Sequence, residues 1–108
     1  MSNIKTTYTD GVINELSFNN QRLILLVIDK GWEPFIEIRD ELINTYGFEL
    51  VNQFGLTDMH ASFKFKEVVF ELEYFSMDEM ISLIAYTDDE AILKEYRDIA
   101  KKLNIKYK

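Results

Sequence analysis

The sequence predicts an α+β fold, a mainly antiparallel sheet of about five to six strands with two helices packed on it, in the order ββαββββα. Three observations predict it. Alternating apolar and polar residues recur in short runs between turn-forming clusters from Phe48 to Tyr86. Two segments, 34–46 and the one following Thr87, instead repeat their apolar residues at helical spacing. The turns between runs are short, which favours local hairpins over long crossovers.

The first predicted hairpin joins Val12–Phe18 to Leu23–Ile28 through Asn19-Asn20. Residues 1–11 are polar and are expected to fray. In the first helix, Pro34 suits the opening turn, where a missing N–H costs nothing. Phe35, Ile38, Leu42 and Tyr46 form its apolar stripe, and Gly47 follows as a left-handed cap. Phe48, Leu50 and Phe54 mark the next strand, ended by a Gly55–Asp58 turn.

Ala61, Phe63 and Phe65 alternate with Ser62, Lys64 and Lys66. Phe70, Leu72 and Tyr74 alternate with Val69, Glu71, Glu73 and Phe75. A tight turn at Lys66-Glu67 puts both aromatic rows on one sheet face and brings His60 opposite Glu73. After a turn over 76–79, Met80–Tyr86 is apolar on both faces, as a central covered strand would be. Thr87-Asp88-Asp89-Glu90 matches a capping box, with Thr87 as the cap. Ile92, Tyr96, Ile99 and Leu103 give the last helix its buried stripe, and Ile105–Tyr107 reads as a short closing strand.

The chain has 108 residues, enough for one domain spanning 1–108 with a core of its own. At 47% hydrophobic and 14% aromatic it is too apolar for disorder. It has no cysteine, which excludes a disulfide framework and thiolate chemistry and fits a reducing compartment. Residues 1–10 lack the apolar run of an export signal. The longest apolar run, Leu23–Ile28, is far short of the ~20 residues that cross a bilayer. Cytoplasmic location is the resulting expectation. A net charge of −7 opposes binding to nucleic acid and to anionic membranes and favours a basic partner.

No motif of catalysis or cofactor binding stands out. His60 is the one histidine, and no serine sits in a nucleophile elbow. Asp58-x-His60 supplies two metal-type ligands where zinc uses three or four. The glycines are scattered, with no phosphate loop. Phe63-Lys64-Phe65-Lys66 has the interleaving seen in single-strand binders, but alternation puts the rings in the core, away from any base. No cofactor, metal or catalytic residue is expected, and the chain reads as a binding module rather than an enzyme.

The informative feature is charge distribution. From Glu67 to Leu93 there are eight acidic side chains and no lysine or arginine; elsewhere twelve basic residues stand against eleven acidic ones. One reading is a solvated outer face. The other is a docking surface for a basic protein, made of Glu71, Glu73, Asp78, Glu79, Asp88, Asp89 and Glu90, with Phe75 and Trp32 as aromatic anchors. On that second reading, reversing charge at Glu71 and Glu73 weakens the partner complex and leaves folding untouched.

In small size, acidity, lack of cysteine and the Phe70-x-Leu72-x-Tyr74 strand followed by an apolar strand and a capped helix, the sequence resembles bacterial toxin-immunity proteins of contact-dependent growth inhibition systems. The resemblance implies a cytoplasmic inhibitor that binds a cognate toxin domain, often a basic nuclease, and blocks its working surface. The alternative is a non-catalytic domain that binds a small ligand or forms a homo-oligomer through an apolar sheet face.

Overall fold

The structure, a computed structural model, describes residues 5–9, 12–17, 20–25, 33–55, 57–77 and 80–107. The fold is α+β. From Glu33 onward the order is αββββα: helix α1 (Glu33–Asn44), strands β4 (Glu49–Gly55), β5 (Met59–Phe65), β6 (Val68–Phe75) and β7 (Met80–Ala85), then helix α2 (Glu90–Tyr107). Three strands described by their backbone precede this unit: β1 (Lys5–Thr9), β2 (Val12–Ser17) and β3 (Asn20–Leu25). All neighbours in the sheet are antiparallel, in the order β1-β2-β3-β7-β6-β5-β4.

The order ββαββββα is therefore not matched. Among the described residues the sheet has seven strands, because residues 5–9, expected to fray, pair with β2 from Lys5↔Leu16 to Thr9↔Val12. Lys-Thr-Thr-Tyr-Thr is polar, but threonine and tyrosine suit a pleated ladder. Asn20, expected in the turn, belongs to β3 and pairs with Ser17. The second half of the expected 23–28 strand lies outside the described residues, as does Trp32.

Alternation decides which side chains meet the helices. Ala61, Phe63, Phe70, Leu72, Tyr74, Ile81, Leu83 and Ala85 share one face, and all are buried. Phe35, Ile38 and Leu42 from α1 and Ile92, Tyr96, Ile99 and Leu103 from α2 pack on it in one cluster. Phe70 lies at its centre, with ring centroids 5.0 Å from Phe48 and 5.7 Å from Tyr96. The Tyr96 hydroxyl donates to the Leu83 carbonyl, so its buried polar end is satisfied. Strand β7 lies between β3 and β6, and Ser82 and Ile84 on its other face are buried too.

The β5–β6 hairpin turns on Lys66 and Glu67, both at positive φ (50° and 67°). Such a two-residue turn matches the strand twist and sets Phe63↔Phe70 and His60↔Glu73 in register. Helix α1 stops at Asn44; Gly47 (φ 75°) reverses the chain and lets the Phe48 N–H reach the Leu42 carbonyl at 2.9 Å. Tyr46 thus lies past the helix end, partly buried against the core. Gly55 (φ 126°) is closely approached by Asp58, whose carbonyl oxygen would lie 2.1 Å from any added Cβ.

Two details of α2 differ from expectation. The cap is Asp89, two residues beyond Thr87. Its Oδ1 accepts from the N–H groups of Ala91 (2.9 Å) and Ile92 (3.4 Å), and its carbonyl accepts from Leu93 at 2.9 Å. Thr87 acts one step earlier, its Oγ1 accepting from the Asp89 N–H at 3.0 Å. The closing strand at Ile105–Tyr107 is instead the last turn of the helix. No glycine or proline interrupts the segment after Glu90, so nothing stops propagation. Lys106 in that last turn donates to Glu41 of α1 and ties the two helices together.

Candidate functional site

The sheet face opposite the helices carries a polar cluster built by cross-strand register. One file runs Phe54 (β4), His60 (β5), Glu73 (β6) and Ser82 (β7); the next runs Asn52, Ser62, Glu71 and Ile84. His60 sits between two carboxylates. Its Nε2 is 2.6 Å from Glu71 Oε2, and its Nδ1 is 3.2 Å from Glu73 Oε2. An imidazolium donates from both nitrogens and satisfies both partners at once; a neutral ring donates from one.

The three side chains are half-buried, at 18% exposure for His60, 19% for Glu71 and 18% for Glu73. Tyr86, just past β7, donates its hydroxyl to Glu71 Oε1. Ser62 donates weakly to Glu71 Oε2 at 3.5 Å and lies 3.3 Å from His60 Nε2. The Phe54 ring stacks on the imidazole at 4.8 Å and 24° and is itself 59% exposed. Around this centre, Val69, Phe75 and Tyr86 are exposed apolar or aromatic groups. On the floor, Ser82 is 1% exposed and its hydroxyl has no hydrogen-bond partner among the described residues.

Ser62, His60 and Glu73 fall in the order hydroxyl, imidazole, carboxylate. Chemistry at Ser62 is obstructed, because Glu71 holds Nε2 at 2.6 Å against 3.3 Å for the serine. The backbones of β5 and β6 are paired on both sides, so their N–H groups serve the ladder rather than an oxyanion. Asp58 does not join His60 as a ligand pair. Its Oδ1 accepts from the Ser76 N–H (2.9 Å) and hydroxyl (3.0 Å), clipping two loops together. Among the described residues no group of three His, Cys, Asp or Glu side chains is placed to hold a metal ion.

The expected acidic surface is divided by the fold. Glu71, Glu73 and Phe75 share the outer face, as alternation requires. Asp88, Asp89 and Glu90 lie at the end of the sheet that carries the Lys66-Glu67 turn, since Ala85 pairs with Phe70 and the Tyr86 N–H bonds the Val69 carbonyl. Asp89 there caps α2. Glu90 approaches Arg97 at 4.0 Å, and Lys66 binds Glu95 at 2.8 Å. Asp78 and Glu79 lie outside the described residues.

Sequence reasoning missed the second carboxylate on His60 and the Tyr86 contact. The signal for the first was present: once His60 opposes Glu73, Glu71 is its diagonal neighbour on the same face. Tyr86 gave no such signal, because it follows β7 and its reach depends on where the chain turns toward α2.

Among the described residues no helix is long and apolar enough to cross a membrane. Compared with protein-family models, curated proteins and solved structures, the chain shows no match.

Proposed function

We propose that this protein is a binding protein rather than an enzyme, and that its outer sheet face docks a basic protein partner. The observation that carries the reading is the make-up of the face around the cluster. Glu71 and Glu73 share one imidazole on a face ringed by exposed Phe54, Val69, Phe75 and Tyr86. A half-buried acidic centre with an aromatic rim has the anatomy of an interface hot spot. The resemblance to immunity proteins supplies a partner of the right chemistry, a basic toxin domain such as a nuclease, neutralised in the cytoplasm by steric and electrostatic cover.

A second reading, self-association, is favoured by the edge strand β4, where Leu50, Val51 and Phe54 are exposed. A register shift between Leu50 and Asn52 interrupts that edge, and the Asn52 side chain accepts from the Gln53 N–H at 2.9 Å. Both features weaken β4 as a template for another strand.

The test is co-expression with the genes beside its own, capture through a tag, and kinetics on the co-eluting polypeptide. A basic partner is expected, with an association rate that falls steeply as salt rises. Replacing Glu71 and Glu73 together by glutamine should weaken the complex by about 2–5 kcal/mol, while Glu37→Lys on α1 leaves it unchanged. A complex insensitive to salt and to both glutamine changes refutes this mechanism. A symmetric dimer alone supports self-association.

A further inference from the structure

We propose that the edge strand β4 is closed to strand addition by its own shape: the bulge at Val51 and the Asn52 side chain guard it, and removing them turns the protein into an edge-to-edge dimer. Among the described residues β4 pairs with β5 alone and ends the sheet. All seven of its residues, Glu-Leu-Val-Asn-Gln-Phe-Gly, are exposed. Leu50, Val51 and Phe54 are the large apolar groups among them, with Val51 60% exposed. An apolar edge of this kind is a template for another chain.

The usual charge guard is absent from its sequence. β4 has no lysine and no proline, and its single charge, Glu49, stands at one end. Two copies can therefore lie antiparallel, centred on the middle of the strand, without setting that charge against itself. The opposite edge, β1, differs in sequence: Lys-Thr-Thr-Tyr-Thr carries a lysine and no aliphatic residue.

What β4 has instead is geometry. Leu50 pairs with Phe63 and Asn52 with Ser62, the next residue of β5, so Val51 is an extra residue in the ladder. The bulge divides the strand into Glu49–Leu50 and Asn52–Gly55 and adds local twist, and each piece is short as an edge. Within the longer piece, Asn52 Oδ1 accepts from the Gln53 N–H at 2.9 Å, so that donor is not offered to an incoming strand. Arg39 of α1 donates to Gln53 Oε1 at 2.9 Å, which ties this piece to the helix and holds its course.

The test compares the full chain with two variants by sedimentation over about a hundredfold range of concentration, with amide hydrogen exchange followed in β4. Asn52→Val frees the Gln53 donor and keeps the bulge. The second variant adds deletion of Val51, which restores an unbroken register with β5. The unaltered chain is expected to stay monomeric throughout. Asn52→Val should dimerise at the top of the range and the deletion variant about tenfold more tightly, each with its β4 amides protected in the dimer. Val51→Lys added to Asn52→Val should return it to monomer. Variants that keep the fold by circular dichroism and stay monomeric overturn the guard; where the deletion unfolds the sheet, Asn52→Val alone decides. An unaltered chain that dimerises with β4 protected overturns it as well, and favours self-association.

Discussion

His60→Ala separates a docking face from a catalytic or purely structural cluster, because the two quantities it changes should move in opposite directions. The substitution removes two close contacts, at 2.6 Å to Glu71 and 3.2 Å to Glu73, and leaves two like charges near one another on a face under one-fifth exposed. Hydrogen bonds to charged groups contribute about 1.5–3 kcal/mol each, but the two carboxylates regain some water here. Glu71 also keeps its bond from Tyr86. The expected loss is about 2–3 kcal/mol in urea unfolding at neutral pH. Adding Glu73→Gln to His60→Ala should recover part of it, and the double-mutant cycle should show a coupling above about 0.5 kcal/mol. Partner affinity should stay level or rise, since the face becomes more negative toward a basic ligand. A folded His60→Ala protein that has lost its biological activity would refute the binding reading and restore a chemical role for the imidazole. A stability change under about 0.5 kcal/mol with no coupling would refute the cluster itself.

Two predictions concern the scaffold. Phe70 is fully buried among Phe48, Phe65 and Tyr96, so Phe70→Ala should cost about 3–5 kcal/mol, measured by urea unfolding; a loss near 1 kcal/mol would place Phe70 outside the core. Asp89→Ala should cost about 1 kcal/mol and Thr87→Ala less, because Asp89 accepts from the first-turn N–H groups and Thr87 only orders the residue before them. The reverse ranking in thermal unfolding would return the cap to Thr87.

Much of the fold was legible because its faces alternate cleanly. Ala61, Phe63, Phe70, Leu72 and Tyr74 announce their buried row, and a two-residue turn at Lys66-Glu67 then dictates the β5–β6 register with no further information. The apolar run of β7 correctly signals a strand covered on both faces. What was not legible depended on competition between local signals. Thr87 and Asp89 can each cap a helix, and the backbone chose the later one. Ile105–Tyr107 has strand-like residues, but a helix already running through Leu103 extends more cheaply than a new strand nucleates. Lys5–Thr9 lacked an apolar alternation to reveal it, and needed β2 as a template.

For the site, the face of Glu71 and Glu73 was legible and their state was not. A charge run read along a chain counts each carboxylate as free. In the fold, Glu71 and Glu73 contact His60, Asp89 serves a helix cap and Asp58 serves Ser76. The expectation that charge reversal there leaves folding untouched therefore fails on physical grounds, because a lysine at either position would face the imidazole in a half-buried setting. This is why neutral glutamine is the informative replacement.

The division of the acidic residues also assigns them different physical work. Glu67, Asp88 and Glu90 are exposed at one end of the sheet, where their field reaches into solvent and is screened by salt. Groups of that kind steer a basic partner during approach and act on the association rate. Glu71 and Glu73 are too enclosed to contribute much at long range, but a cation that reaches them is held where water competes poorly, which acts on dissociation. His60 lies between the two carboxylates and keeps them from destabilising the sheet. Stability of the free protein and the proposed docking of a basic group thus draw on the same three side chains, so a substitution in the cluster is read on both folding and binding.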